Sequence, residues 1–182
     1  MIVAALGWPA PPLSSQPATV TTAGGVVHVR APGLRFIDGE PLARLKDGRA
    51  VRVDLALDVL ADPRAAPTAQ KRQTCVLSYD LWEERFAATI DGDPTRAISH
   101  LTPAAAEAWC VQQLDLPVSA LGPLAHNQPF WIRLAYRVLD SGGAERDDGG
   151  LTLGGLIDAL SRRRKAGDVS RSIEAGPFRV QE

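Results

Sequence analysis

Apolar and polar residues alternate most clearly between Val51 and Val59, where Val or Leu holds every second position and Arg, Asp or Ala lies between. Alternation with a period of two is typical of a strand that buries one face. The same pattern runs through Val26–Arg30 and Phe130–Val138, and we expect Ser172–Val180 to add a terminal strand. The chain is therefore predicted to be mainly β.

Two Asp-Gly pairs, Asp38-Gly39 and Asp47-Gly48, divide the region before the central strand. Asp and Gly accept the positive φ angles of tight hairpin turns, so each pair predicts a turn between two strands. Short strands are accordingly expected at Leu34–Ile37 and at Leu42–Leu45. With the strand at 51–59 they would form an antiparallel meander.

Residues 74–90 are typical of extended structure, but the apolar side changes partway along the segment. Leu77 and Tyr79 share one parity, whereas Phe86 and Ala88 share the other. Because successive side chains of a strand point to opposite faces, this change predicts a bulge or tight bend at Asp80–Glu84. A turn at 91–94 and a Gly-rich, acidic loop at 141–150 are also expected.

Two segments have helical features. Thr102 and Pro103 are a favourable cap and first residue for a helix that continues to Gln113. Apolar residues recur at helical spacing within Thr152–Lys165, namely at Leu153, Leu156, Ile157 and Leu160. We therefore predict an antiparallel β-sandwich, immunoglobulin-like or C2-like, that carries two short helices and occupies residues 19–182 as one β-rich domain.

Three segments together resemble a family of uncharacterised exported bacterial proteins. They are Val51–Val59, the stretch Leu77–Phe86 with its Leu-Ser-Tyr strand followed by Trp, and Trp131–Asp140, which ends in Leu-Asp. The resemblance covers about residues 34–160 and implies an exported β-sandwich. It implies no activity and no site, because the family has none assigned.

The charge balance argues against a nucleic-acid partner, since 20 basic and 21 acidic residues among 182 nearly cancel. No segment approaches the roughly 20 apolar residues needed to span a bilayer, so no transmembrane segment is expected. Residues 1–18 begin apolar and become rich in Pro and Ser, as in the remnant of a signal peptide. A flexible extension on a cytoplasmic protein is the alternative to a periplasmic or extracellular one.

Cys75 and Cys110 are the only cysteines, and they lack the CxxC spacing of a zinc site. In an exported protein a disulfide between them is one of two alternatives, and it would close a loop of about 35 residues and contribute about 3 to 4 kcal/mol. Two buried free thiols are the alternative. Neither a metal nor a cofactor is predicted, because the Asp91 and Asp93 pair suits a turn and no phosphate-binding glycine motif is present.

Charged residues crowd the expected bend, where Glu83 and Arg85 lie beside Trp82. A cleft there would bind a cationic or sugar-like ligand, whereas the simpler interpretation is a strand edge whose charges prevent edge-to-edge pairing. With His100 or His126 the acidic residues would suit a small hydrolase or ligand-binding enzyme. No GxSxG nucleophile motif supports that alternative.

A non-enzymatic binding or scaffolding module of the bacterial cell envelope, with a protein partner, is the leading hypothesis. Trp82, Trp109 and Trp131 are the candidate docking residues, since tryptophan is enriched where partners bind; core packing is their alternative role. The basic run Arg162, Arg163 and Arg164 is a further candidate, although it also suits the last turn of a helix. The sequence leaves the oligomeric state open.

Overall fold

The computed structural model describes residues 17–92, 94–139 and 170–180. Within these residues nine antiparallel strands form two sheets, accompanied by two α-helices and one 3₁₀ helix. In chain order the elements are β1 (Thr19–Ala23), β2 (Val26–Arg30), α1 (Gly39–Lys46), β3 (Val51–Leu60), β4 (Pro67–Asp80), β5 (Arg85–Ile90), β6 (Arg96–Leu101), α2 (Pro103–Gln112), β7 (Leu116–Pro117), the 3₁₀ helix Val118–Ala125, β8 (Phe130–Leu139) and β9 (Ser170–Phe178).

The larger sheet has six strands in the order β6-β5-β4-β3-β8-β9, and the smaller has three in the order β1-β2-β7. β3 lies near the middle of the larger sheet, paired with β4 on one side and β8 on the other. This position explains its regular alternation, because one face of β3 is fully buried while the other carries Arg and Asp. The predicted mainly β, sandwich-like fold is confirmed.

One face of the larger sheet forms the core with the helices and the smaller sheet. α2 contacts β2, β5 and β6, while α1 contacts β3 and β4. The largest side chains of this core are fully buried and come from every layer; they include Phe36, Leu45, Leu55, Leu77, Leu114, Leu121 and Phe130. The opposite face of the larger sheet keeps the charged residues that alternate with them.

The expected strand at Leu42–Leu45 is wrong, because this segment belongs to helix α1. Asp47-Gly48 ends the helix instead of turning a hairpin: Gly48 adopts φ 77° and donates its N–H to the Leu45 carbonyl. Arg49 N–H closes the same motif on the Arg44 carbonyl. An Asp-Gly pair supplies positive φ equally well to a helix C-terminus and to a hairpin, and the sequence favoured the wrong one.

The expected strand at Leu34–Ile37 is also wrong, since no sheet includes these residues. The N–H groups of Phe36 and Ile37 donate to Glu107 Oε1 of α2 at 2.7 and 2.8 Å. The Tyr136 hydroxyl donates to the Arg35 carbonyl at 2.6 Å. Side chains thus satisfy three polar backbone groups of this segment, so the segment does not depend on a partner strand for these hydrogen bonds.

The expected helix at Thr102–Gln113 is confirmed as α2, with the Thr102 hydroxyl accepting the Ala105 N–H at 3.3 Å. The expected terminal strand is confirmed as β9. The second expected helix at Thr152–Lys165, the loop at 141–150 and Asp93 lie outside the described residues. So do residues 1–16, whereas Ala18 is already buried in the core.

Cys75 of β4 and Cys110 of α2 form a disulfide, and both residues are fully buried. The bond joins the larger sheet to the helix that covers it. Across the described ranges no helix has the length and apolar character required to cross a membrane. The same ranges hold no cluster of three or more side chains suited to a metal ion.

Candidate functional site

The bend expected at Asp80–Glu84 is a hairpin turn. β4 ends at Asp80, which pairs with Arg85 at the start of β5, and Leu81–Glu84 form the four-residue loop between them. We call these four residues the tip. Below it, Tyr79 and Phe86 face each other across the strands with ring centroids 4.8 Å apart, and this aromatic pair stiffens the base of the hairpin.

The Asp80 carboxylate fixes the shape of the tip. Its Oδ1 accepts the backbone N–H of Trp82 at 2.8 Å and that of Glu83 at 3.0 Å. These bonds, the Glu83 N–H first, lower the pKa of Asp80 below its ordinary value of 3.8. A lowered pKa means that the carboxylate favours the folded turn above its ordinary pKa, and that this contribution is lost as the pH falls through the lowered value.

The tip exposes two large apolar side chains, Leu81 and Trp82. Trp82 is 96% exposed and Leu81 58% exposed, and among the described residues no other large apolar side chain is exposed. Most of the surface of a Trp side chain is normally buried, because its large apolar rings are unfavourable in water. A Trp held away from the core on an ordered turn is therefore available to a partner.

His100 lies beside the tip because β6 contains a bulge. Two residues, Ser99 and His100, stand opposite the single residue Ala87 of β5, and His100 adopts φ 61°. A bulge redirects the side chain of the inserted residue. Here it brings His100 Nε2 to 2.9 Å from Glu83 Oε2 and His100 Nδ1 to 2.8 Å from Ser99 Oγ.

The sequence analysis placed Glu83 at the bend and offered either His100 or His126 as the histidine that would act with it. The structure brings His100 and Glu83 together, while none of the contacts of the described residues joins His126 to the tip. The missed residue is Ser99. Its neighbour in sequence, His100, would point to the opposite face of a regular strand, so only the bulge allows Ser99 and His100 to bond.

A serine, a histidine and a carboxylate in hydrogen-bonded order are the components of nucleophilic catalysis. Here they line an open depression of about 360 Å³, and His100 and Glu83 are 68% and 53% exposed. Water competes for every bond in such a group, so it lacks the dry, preorganised surroundings that stabilise a developing oxyanion. The arrangement is better suited to recognition than to acyl transfer.

The rim of the tip is acidic. Asp80, Glu83 and Glu84 contribute three carboxylates against the guanidinium of Arg85, which donates to the Glu84 carbonyl at 3.4 Å. His100 adds a positive charge only when it is protonated. The two exposed apolar side chains are therefore surrounded mainly by negative charge.

The other candidate docking residues are not gathered at the tip. Trp109 is half-buried on α2 and packs against the core, and its carbonyl accepts the Gln113 side chain. Trp131 is half-buried on β8, and its indole covers Gly176 so closely that a Cβ there would lie 2.6 Å from a ring carbon. Both positions suit packing. Arg162, Arg163 and Arg164 lie outside the described residues.

Comparison with known proteins gives no relative. A scan against known protein families finds no match, a search of curated proteins finds none, and a search of solved structures finds none.

Proposed function

We propose that the protein is a non-enzymatic binding module of the bacterial cell envelope that docks a protein partner through the tip. The observation that carries this proposal is the 96% exposure of Trp82 on a turn whose backbone the Asp80 carboxylate holds in place. A preorganised loop loses little entropy when it binds, so most of the contact free energy of Trp82 is retained.

The chemistry of the tip indicates what a partner must offer. Leu81 and Trp82 require an apolar pocket, and burial of an aromatic side chain at the centre of an interface commonly contributes 2 kcal/mol or more, about 30-fold in affinity. The surrounding carboxylates favour a pocket rimmed by Lys or Arg. The Tyr79–Phe86 pair keeps the hairpin rigid, so the tip is expected to enter the pocket without rearrangement.

Photo-crosslinking tests the proposal. A benzophenone amino acid placed at position 82 in the source organism should give a discrete adduct. The same group at the exposed Thr68, near the far end of β4, should not. The partner identified in the adduct is then purified, and its affinity for variants of this protein is measured. Trp82→Ala should weaken that affinity at least 30-fold, and Trp82→Phe should weaken it less. Neither substitution should change the urea midpoint of unfolding of this protein.

Two outcomes would contradict this function. One is an adduct from position 82 that still forms at full yield after Leu81→Ser is combined with reversal of the charges that flank position 82. Docking at the tip must depend both on its apolar side chains and on its carboxylates. The other is ester hydrolysis by the purified protein that Ser99→Ala abolishes. That second result would instead support the small hydrolase built on Ser99, His100 and Glu83.

Export to the periplasm or the cell exterior is supported by the disulfide between Cys75 and Cys110, because disulfides persist mainly in oxidising compartments. Protein recovered from its source organism under acid quench should show no labelling by a thiol reagent after unfolding unless a reductant is added. Sequencing of its N-terminus should show that the first residues have been removed. Two free thiols with an intact Met1 would place the protein in the cytoplasm.

A further inference from the structure

A trough crosses the outer face of the larger sheet at right angles to its strands. It has a volume of about 550 Å³ and runs across β4, β3, β8 and β9. Its floor is the backbone of the row in which Gln73, Leu55, Tyr136 and Arg171 pair with one another. Four strands about 4.8 Å apart give it a length of about 14 Å.

The registers identify the two walls. One wall is the row that contains Asp54, Arg137 and Ser170. The other contains Arg72 of β4 and Ser172 of β9, and between them Ala56 and Ala135, whose small side chains leave the trough open. All of these side chains share one face, because they lie one residue away from the buried Leu55 row.

Two guanidinium groups in the trough have no partner among the described residues. Neither Arg72 nor Arg137 forms an ion pair or a side-chain hydrogen bond with any residue of the described ranges, although Arg137 lies opposite Asp54 in the register. The other arginine on this face of β8, Arg133, is bound to Glu174 at 2.6 Å and to the Pro63 carbonyl. Within the described part of the chain, β4 and β8 thus each give the trough an unpaired cationic group with planar donor geometry.

Asp54 gives the trough an acceptor beside these donors. The Thr74 hydroxyl donates to its Oδ1 at 2.7 Å, and its Oδ2 has no hydrogen-bond partner within the described part of the chain. Ser170 and Ser172, both exposed, add hydroxyl groups at the β9 end. A ligand in the trough therefore meets guanidinium donors, a carboxylate acceptor and neutral hydroxyl groups within the same 550 Å³.

From this combination we propose that the trough binds an oligosaccharide that carries carboxylate groups. Arg recognises carboxylates through paired N–H donors, and Asp54 with the serines can bind sugar hydroxyl groups. Arg72 and Arg137 lie two strands and two residues apart, so their Cα atoms are about 12 Å from each other, and a short chain of acidic sugars can reach both. Asp54 between them can accept from sugar hydroxyl groups, which a polyphosphate chain does not offer.

The test is titration of the purified full chain with trigalacturonate by isothermal calorimetry. Arg72→Gln and Arg137→Gln should each weaken binding about 10-fold, and maltotriose, which is neutral, should bind at least 10-fold more weakly than trigalacturonate. Arg96→Gln is the matched control, because Arg96 is an exposed arginine on the edge strand β6, away from the trough. It should leave the affinity unchanged.

Asp54→Asn distinguishes a sugar from any other polyanion. It should strengthen binding of tripolyphosphate by removing a negative charge. Binding of trigalacturonate should gain clearly less, because the same change also removes the stronger acceptor for its hydroxyl groups. The proposal is overturned if trigalacturonate fails to bind at millimolar concentration. It is equally overturned if Arg96→Gln weakens binding as much as Arg137→Gln, or if tripolyphosphate binds the unaltered chain more tightly than the sugar.

Discussion

Replacing Glu107 by alanine is expected to lower the free energy of unfolding by about 3 to 5 kcal/mol. Glu107 is 3% exposed, and its Oε1 accepts two backbone N–H groups, those of Phe36 and Ile37. Its Oε2 accepts from Arg35 at 2.9 Å. Without the carboxylate both buried N–H groups lose their acceptor, and each such loss costs about 1 to 3 kcal/mol.

Two variants separate the buried bonds from the ion pair. Glu107→Gln keeps an oxygen for both N–H groups and should cost about 1 to 2 kcal/mol, because the bond to Arg35 is lost and a neutral amide is a weaker acceptor than a carboxylate. Arg35→Ala should cost about 1 kcal/mol or less, since the Arg35 side chain is 51% exposed and water can replace it as a partner. Urea unfolding followed by circular dichroism measures all three. A Glu107→Ala cost below about 1 kcal/mol would refute the role assigned to these bonds.

The loss of stability on replacing Glu107 should involve more than its own hydrogen bonds, because the segment that Glu107 binds also contacts Tyr136. The Tyr136 hydroxyl donates to the Arg35 carbonyl, and the Tyr136 ring lies 5.5 Å from that of Phe36.

Burial raises the pKa of Tyr136 above its ordinary value of 10. Stability is thus expected to fall as the pH rises above 10, where the unfolded chain ionises this tyrosine and the folded protein does not.

Strands were predictable wherever one face of a strand is buried and the other is solvated. The alternation in Val51–Val59 and Phe130–Val138 is read directly from the sequence, and both segments are strands. The parity change between Tyr79 and Phe86 predicted a bulge or tight bend at Asp80–Glu84, where the structure has a hairpin turn that carries Trp82. Period-two patterns report burial, and burial is what the larger sheet imposes on these residues.

The error at Leu34–Ile37 has a long-range cause, because a side chain distant in sequence satisfies the local backbone. Leu34–Ile37 has the composition of a strand, but Glu107, about 70 residues away, binds its N–H groups. A glutamate within a helix normally predicts a solvated surface, so nothing in the pattern marked it as buried. The Ser99–His100–Glu83 cluster depends on a bulge whose extra residue only the register reveals.

Removal of the Cys75–Cys110 disulfide is expected to lower the free energy of unfolding by about 4 kcal/mol. The two residues are 35 positions apart, and an open chain gains the conformational freedom that this loop denies it. Both cysteines are fully buried, so reductant should break the bond only when the protein unfolds. Urea unfolding of the oxidised and the reduced wild-type protein compares chains that differ only in this bond.

The reduced protein should unfold at a urea concentration lower by about 2 M, which is 4 kcal/mol divided by an m-value of about 2 kcal/mol/M. It should also have the larger m-value, because an unfolded chain without the crosslink exposes more surface. The Cys75→Ala, Cys110→Ala double variant should match the reduced protein, less a small packing loss from two buried sulfurs. Equal midpoints for oxidised and reduced protein would show that the β4–α2 contact is held by packing alone. An unchanged m-value with a lowered midpoint would place the effect of the disulfide in the folded state instead of the unfolded chain.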